Sequence, residues 1–231
     1  MSFQFKRFFI EDRNTSMKVG IDAVLLGAWA DIGNGNQIVD IGSGNGIVSL
    51  MLAQRFPETN IHAVEINNAA FKDCIFNIDK SPFKERIEAI NCDIRKYNSE
   101  IFFDIAISNP PFFSLNSAAH DNGRQEARQT KSLSYKDLCV SAKQLLKPNA
   151  ALIVVFPFEQ RQRFIKEAFV NGFYLKKELV ISDKKRSKPQ RSLLHFVNYP
   201  ILEVERSSLY LKDTTNTPSK FMTELTKDFY L

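Results

Sequence analysis

At 231 residues, 44% hydrophobic and 25% charged, the chain is long enough to bury a full core and short enough to be one domain. No apolar run approaches the length of a membrane span, the start Met1-Ser2-Phe3-Gln4-Phe5-Lys6-Arg7 lacks a signal peptide's apolar core, and the three cysteines (Cys74, Cys92, Cys139) include no Cys-x-x-Cys pair. A cytoplasmic protein without disulfides is expected, the scattered His62, His120 and His195 suggest no metal site, and a formal charge of +5 is only a weak pointer to a polyanionic partner.

Taken in order, Phe3 to Ile10 alternates only partly and reads as an edge strand or an arm. From Asp22 to Ala30 the apolar spacing predicts a short amphipathic helix capped by Asp22. Lys18 and Asp22 either line a ligand site or are a surface charge and a helix cap.

Gln37-Ile38-Val39-Asp40-Ile41 predicts a buried strand that runs into Gly42-Ser43-Gly44-Asn45-Gly46, and Ile47 to Phe56 has helical spacing. This is the first β-loop-α unit of a doubly wound sheet, where glycines let a ligand approach the backbone at a helix N-terminus. The dinucleotide fingerprint has its third glycine one residue later and seats a pyrophosphate there, so the Gly-x-Gly-x-Gly spacing favours a nucleoside without a diphosphate. A second strand, Ile61 to Glu65, places a carboxylate roughly twenty residues past the glycines, where it can accept from both hydroxyls of a ribose. Capping the following helix is the plainer role for Glu65.

A helix over 69–79 and a third strand over 87–91 precede Cys92-Asp93-Ile94. Asp93 again follows a strand end and suits an adenine amino group; a surface acid is its plainer role. Ile101 to Ile107 predicts a fourth buried strand, which empties into Ser108-Asn109-Pro110-Pro111-Phe112. The prolines have fixed φ and no N–H, so strand pairing stops and the carbonyls of Asn109 and Pro110 become rigid acceptors. An exocyclic amine has two N–H donors; the Asn109 side-chain oxygen and a backbone carbonyl can take both while Phe112 stacks on the ring. A Pro-Pro step alone reads as a turn. Its position at the same sheet edge as the glycine loop, Glu65 and Asp93 favours a site, because parallel sheets bind ligands where their strands end.

Phe113 to Lys131 has no periodicity and is long for a loop; its Arg124 and Arg128 either hold phosphates or are solvated. Helices over 135–146 and 158–170 flank a fifth strand over 150–156. Two long strands, 173–182 and 192–199, are then joined by nine residues, of which Lys184, Lys185, Arg186, Lys188 and Arg191 are basic. Such a run is usually a solvated hairpin, but this one lies at an end of the sheet where a polyanion can reach it. The expected division is an N-terminal arm and short helix over 1–36, a core over 37–200 and a C-terminal extension over 201–231, in which 213–220 reads as linker.

Asp40-Ile41-Gly42-Ser43-Gly44-Asn45-Gly46, Glu65, Asp93 and Asn109-Pro110-Pro111-Phe112, in that order, resemble the class I S-adenosylmethionine-dependent methyltransferases that act on exocyclic or amide nitrogens. Within that class the whole chain, with Lys18-Val19-Gly20-Ile21-Asp22, Arg124-Gln125-Glu126-Ala127-Arg128 and the terminal Asp228-Phe229-Tyr230-Leu231, is similar to the bacterial enzymes that methylate N6 of the adenine just 3′ of the anticodon in valine tRNA. The resemblance implies an α/β fold: a single Rossmann-like class I methyltransferase domain with a seven-stranded, mostly parallel sheet, helices on both faces and the last strand inserted antiparallel. It also implies S-adenosylmethionine as cofactor and tRNA as partner, with no metal.

Carried onto this sequence, Asp40, Gly42, Ser43, Gly44 and Gly46 meet the methionine part of the cofactor, with Lys18 and Asp22 lining the same site. Glu65 and Ile66 meet the ribose, and Asp93 and Ile94 the adenine. Asn109 and Pro110, followed by Pro111, hold the target amine beside the cofactor, Phe112 holds the target base, and Arg124, Arg128, Lys184, Lys185, Arg186, Lys188 and Arg191 meet the RNA. The same Asn-Pro-Pro-aromatic step occurs in guanine-N2 methyltransferases of ribosomal RNA and glutamine-N5 methyltransferases of release factors. Those usually carry a large extra N-terminal domain, and only about forty residues precede the glycine loop here, which argues against both. A catalytically silent nucleotide-binding module would need a broken amine site.

Overall fold

A computed structural model describes residues 2–14, 19–111 and 133–230. The chain opens with a small antiparallel pair, β1 (Ser2–Gln4) and β2 (Phe9–Glu11). The main sheet contains β3 (Gln37–Ile41), β4 (Asn60–Glu65), β5 (Ile87–Asn91), β6 (Phe103–Ser108), β7 (Leu146–Pro157), β8 (Tyr174–Ser182), β9 (Pro189–Val197) and β10 (Glu205–Tyr210). Their order is β10-β8-β9-β7-β6-β3-β4-β5, and every neighbouring pair is parallel except those made by β9. The helices are α1 (Ile21–Trp29), α2 (Ile47–Arg55), α3 (Asn68–Asp79), α4 (Tyr135–Leu145), α5 (Arg161–Val170) and α6 (Lys220–Thr226). None of the helices among the described residues is long and apolar enough to cross a membrane.

Parallel strands need crossovers, and helices supply them on both faces, so the central strands are buried on both sides and read as unbroken apolar runs. In β7, Ala151, Ile153 and Val155 face a layer that includes α1 and α2, while Leu152, Val154 and Phe156 face α4 and α5. The period-two alternation thus sorts one strand into two cores. Stacking of Phe156 on Phe164, with centroids 4.3 Å apart, and the edge of Phe196 against Phe164 fill the second core.

Two expectations change. The sheet has eight strands, because β10 pairs in parallel with β8 at the open edge, from Glu205 opposite Lys177 to Tyr210 opposite Ser182. Only Leu209 of that strand is buried, so an edge position with solvent on most sides leaves no apolar alternation to read. Asp22 is not the cap of α1: Gly20 occupies that position, and Asp22 lies in the first turn with its carboxylate 2.8 Å from Nε of Arg191 on β9.

The two ends of the described chain meet. Phe5 stacks on Phe8 and Tyr230, the Lys6 N–H donates to the Phe229 carbonyl, and Gln54 Nε2 donates to the Asp228 carbonyl. From β2 the chain continues as a strap along α3, where the buried Asp73 accepts from the N–H groups of Arg13 and Asn14 and from Asn14 Nδ2.

Candidate active site

Four neighbouring parallel strands deliver polar residues to one edge. Asn109 follows β6, the glycine loop follows β3, Glu65 ends β4 and Asp93 lies just past β5, and these strands are consecutive in the sheet. Ser108 is fully buried and its hydroxyl donates to the Ile41 carbonyl at 2.7 Å, tying the ends of β6 and β3 where both chains leave the sheet. Asn109 is half-buried, Pro110 buried and Pro111 exposed. Among the described residues none hydrogen-bonds the Asn109 side chain, which leaves an amide at the mouth of the glycine loop.

The glycine loop turns on left-handed residues: φ is 73° at Gly42, 59° at Gly44 and 85° at Gly46, the residue that opens α2. At Gly46 a side chain is disfavoured on two counts, by that φ and by Cys74, whose sulfur would lie 3.0 Å from an added Cβ and would have to shift. The N–H groups of Gly42 and Ser43 both donate to the Val64 carbonyl, which pins the loop to β4. Glu65, 7% exposed, completes the tie: its Oε2 accepts from Gly44 N–H at 2.8 Å and its Oε1 from Asn67 N–H at 2.7 Å. Each carboxylate oxygen retains a lone pair, so Glu65 can still accept from a diol. Ile66 beside it is 53% exposed, an apolar surface facing away from the core.

Asp40 is 1% exposed and accepts from Ser49 Oγ at 2.6 Å. Burial pushes its carboxyl up to about 7 and the nearby Glu65 charge adds to this, against the Ser49 hydrogen bond. A carboxyl whose proton is held more tightly in the fold than in the unfolded chain costs stability as pH rises from its ordinary value toward 7, and the cost is constant above that. Asp40→Asn, which mimics the protonated carboxyl, is therefore expected to raise Tm at pH 8 by roughly 5–10 °C, a gain that vanishes near pH 4. Melting curves across that range check it; a pH-independent difference would assign the effect to packing instead.

Asp93 sits differently. Its side chain accepts from the Arg95 N–H, and Arg95 Nη2 reaches Oδ2 at 2.6 Å, so the guanidinium holds the carboxyl below its usual range and keeps it ionised. Arg95 also approaches Asp137 in the first turn of α4 at 3.9 Å, and Ile94 is buried behind the carboxylate. Sequence reasoning missed Arg95 and Ser49 as partners of the two acids. It also missed Asn77, which bridges the strap to the glycine loop by accepting from Glu11 N–H and donating to the Asn45 carbonyl, while Asn45 Nδ2 donates to Asp12. The i, i+4 spacing of Asp73 and Asn77 on α3 was the available signal.

The register of β7, β8 and β9 brings the turn after β8 to this same edge, since Arg191 pairs with Pro157 at the end of β7. Lys185, Arg186 and Lys188 are exposed there and Lys184 is half-buried, whereas Arg191 lies inside β9 in the ion pair with Asp22. Lys18, Phe112, Arg124 and Arg128, with the whole stretch Phe113 to Lys131, lie outside the described residues. Among the described residues no group of three His, Cys, Asp or Glu side chains could hold a metal ion. Among the described residues there is no evident nucleophile at this edge either: burial pushes the Cys74 thiol up to about 12, and His195 lines a cleft of about 360 Å³ with Asp31 and Asp104 at the opposite edge.

The family described as "Methyltransferase small domain" matches residues 22–179. The chain is 36% identical to a protein of Shewanella frigidimarina named tRNA1(Val) (adenine(37)-N6)-methyltransferase, across 100% of this chain and 99% of the relative. It is 38% identical to a protein of the same name from Tolumonas auensis, across 100% and 97% of the two. The fold superposes on a crystal structure of a predicted O-methyltransferase from Agrobacterium tumefaciens with a TM-score of 0.71 and 17% identity, covering 90% of this chain and 96% of that one. A methyltransferase from Pyrococcus furiosus gives 0.59 and 16%, covering 84% and 90%. With a family match over most of its length and full-length relatives more than a third identical, the chain belongs to the methyltransferase small-domain family.

Proposed function

We propose that the protein transfers a methyl group from S-adenosylmethionine to N6 of an adenine in tRNA, the adenine just 3′ of the anticodon in a valine tRNA. The observation that carries this reading is the pairing of β6 with β3, which sets the Asn109-Pro110 acceptors beside the glycine loop. The names of the full-length relatives supply the nucleotide and the tRNA.

The residues present suit the cofactor. A glycine loop with open space where a Cβ of Gly42 would stand offers close backbone approach, Glu65 has acceptor capacity for a ribose, and Asp93, ionised, suits an amino group at the next strand end. When bound, S-adenosylmethionine supplies an electrophilic methyl carbon on a cationic sulfur, so the protein needs no nucleophile of its own. Its own residues orient and desolvate: Asn109 Oδ1 and the Pro110 carbonyl accept the two N–H groups of the amine, which turns the nitrogen lone pair toward the methyl group. As the N–C bond formed, the methyl–sulfur bond would break, its electron pair would leave with the sulfur as a neutral thioether, and the surplus N–H proton would then pass to solvent. An anticodon-loop base is single-stranded and costs less to extrude than one in a duplex.

The test uses unmodified total tRNA and methyl-labelled cofactor, followed by nucleoside analysis. Label is expected on adenine N6 and mainly in one tRNA species, because the amine site cannot itself read sequence and selectivity must come from the folded shape. Label on guanine N2, on ribosomal RNA or on a release-factor glutamine would overturn the reading.

A further inference from the structure

Between the amine site and the basic turn lies Phe158. β6 ends at Ser108 opposite Val154, but β7 continues to Pro157, so Phe158 projects from the sheet edge one strand over from the Asn-Pro-Pro step. Its N–H donates to the Gln190 carbonyl at 3.0 Å, which holds it against the start of β9 and next to the basic turn. The ring is half-buried, and one of its faces is covered by the Arg161 guanidinium, 3.4 Å from the ring centroid.

That guanidinium is itself held. Arg161 Nη1 donates to the Phe158 carbonyl at 2.7 Å and Nε to Glu178 at 3.0 Å, and Glu178, 5% exposed, also accepts from Ser192. A buried carboxylate thus locks a cation behind an aromatic ring at the ligand-binding edge. Among the described residues no other ring lies against Phe158. Arg163, in the first turn of α5, and Lys185 and Lys188 across the edge are exposed cations on either side, with Glu159 the acidic exception.

We propose that Phe158, backed by Arg161, is a stacking platform for the nucleobase adjacent to the target adenine, an inference that rests on the tRNA reading above. Ser108 lies opposite Val154, so Phe158 stands one strand across from Asn109 and three residues beyond its level, roughly 11 Å away at about 5 Å between strands and about 3.3 Å per residue, close enough for the nucleotide next to an extruded base to reach it. Turning the target base out of its stack exposes a face of its neighbour, and a preformed aromatic surface covers it. The cation behind the ring keeps it rigid, and the phosphates on either side meet Arg163 and the basic turn. Stacking tolerates any base, so the platform adds affinity and positioning while leaving identity to the tRNA shape.

The experiment compares wild type, Phe158→Leu and Phe158→Tyr on an unmodified tRNA and on versions carrying an abasic residue 5′ or 3′ of the target adenine. On intact tRNA, Phe158→Leu is expected to lower kcat/KM by about tenfold or more, within the roughly 5- to 150-fold range of one base–aromatic stack, with cofactor Kd unchanged. Phe158→Tyr restores activity. One of the two abasic substrates costs the wild type a similar factor but costs Phe158→Leu little, because the partner surface is already gone. A Leu variant within twofold of wild type, or equal abasic penalties in both proteins, overturns the platform while leaving adenine methylation standing. If the wild type leaves the adenine of intact tRNA unmethylated, the functional reading and the platform fall together.

Discussion

Asn109→Ala is expected to lower kcat/KM on tRNA by about two to three orders of magnitude while leaving the Kd for S-adenosylmethionine within about threefold of wild type. The alanine removes a hydrogen-bond acceptor whose value is realised only when the target nitrogen must be turned toward the methyl carbon. A half-buried amide at the end of β6, with no described side-chain partner, has no evident structural task to lose. The fold should therefore persist, because Ser108, one residue earlier, holds the β6–β3 junction through the Ile41 carbonyl. Single-turnover rates with saturating cofactor, together with calorimetry, separate the two quantities. A variant that retains a tenth of the wild-type rate would remove Asn109 from the amine site, and one that loses cofactor affinity in parallel would reassign it to the cofactor.

Which parts of the chain were legible follows from where the information lies. β5 matches the expected 87–91 because a polar turn precedes Ile87 and a polar run follows Asn91. The edge that gathers Asn109, Gly42 to Gly46, Glu65 and Asp93 was legible too, since strand ends and glycines are local signals and sheet chirality places them together. β10 was not, because Glu205-Arg206-Ser207-Ser208-Leu209-Tyr210 holds its place through backbone pairing to β8 and one buried leucine. Asp22 was misread as a cap because its partner, Arg191, lies far along the chain, and an ion pair between distant elements leaves no spacing to detect. The same holds for Glu178 with Arg161 and for Asp73 with the strap, where the carboxylate looks like surface in sequence and is interior in space.

Glu65→Ala is expected to weaken S-adenosylmethionine binding by on the order of 2–4 kcal/mol, the loss of a charge-assisted pair of hydrogen bonds to a ribose. The structure gives this substitution a second consequence: the N–H groups of Gly44 and Asn67 both lose their acceptor, so the glycine loop loosens along with the ribose contact. Two measurements separate the contributions. Binding of the cofactor and of its 2′-deoxyribose analogue is compared in wild type and mutant by titration calorimetry. If Glu65 holds the diol, the analogue costs wild type about tenfold or more and costs the mutant little, since the acceptor is already missing. If the carboxylate only braces the loop, the analogue costs both proteins the same. Glu65→Gln is the intermediate case: its amide oxygen can keep one backbone donor, but its NH2 must face the other, so it should bind the cofactor less well than wild type. A folded Glu65→Ala protein with unchanged cofactor affinity would show that neither the ribose contact nor the loop brace limits binding, and the placement of the nucleoside along β4 would have to be abandoned.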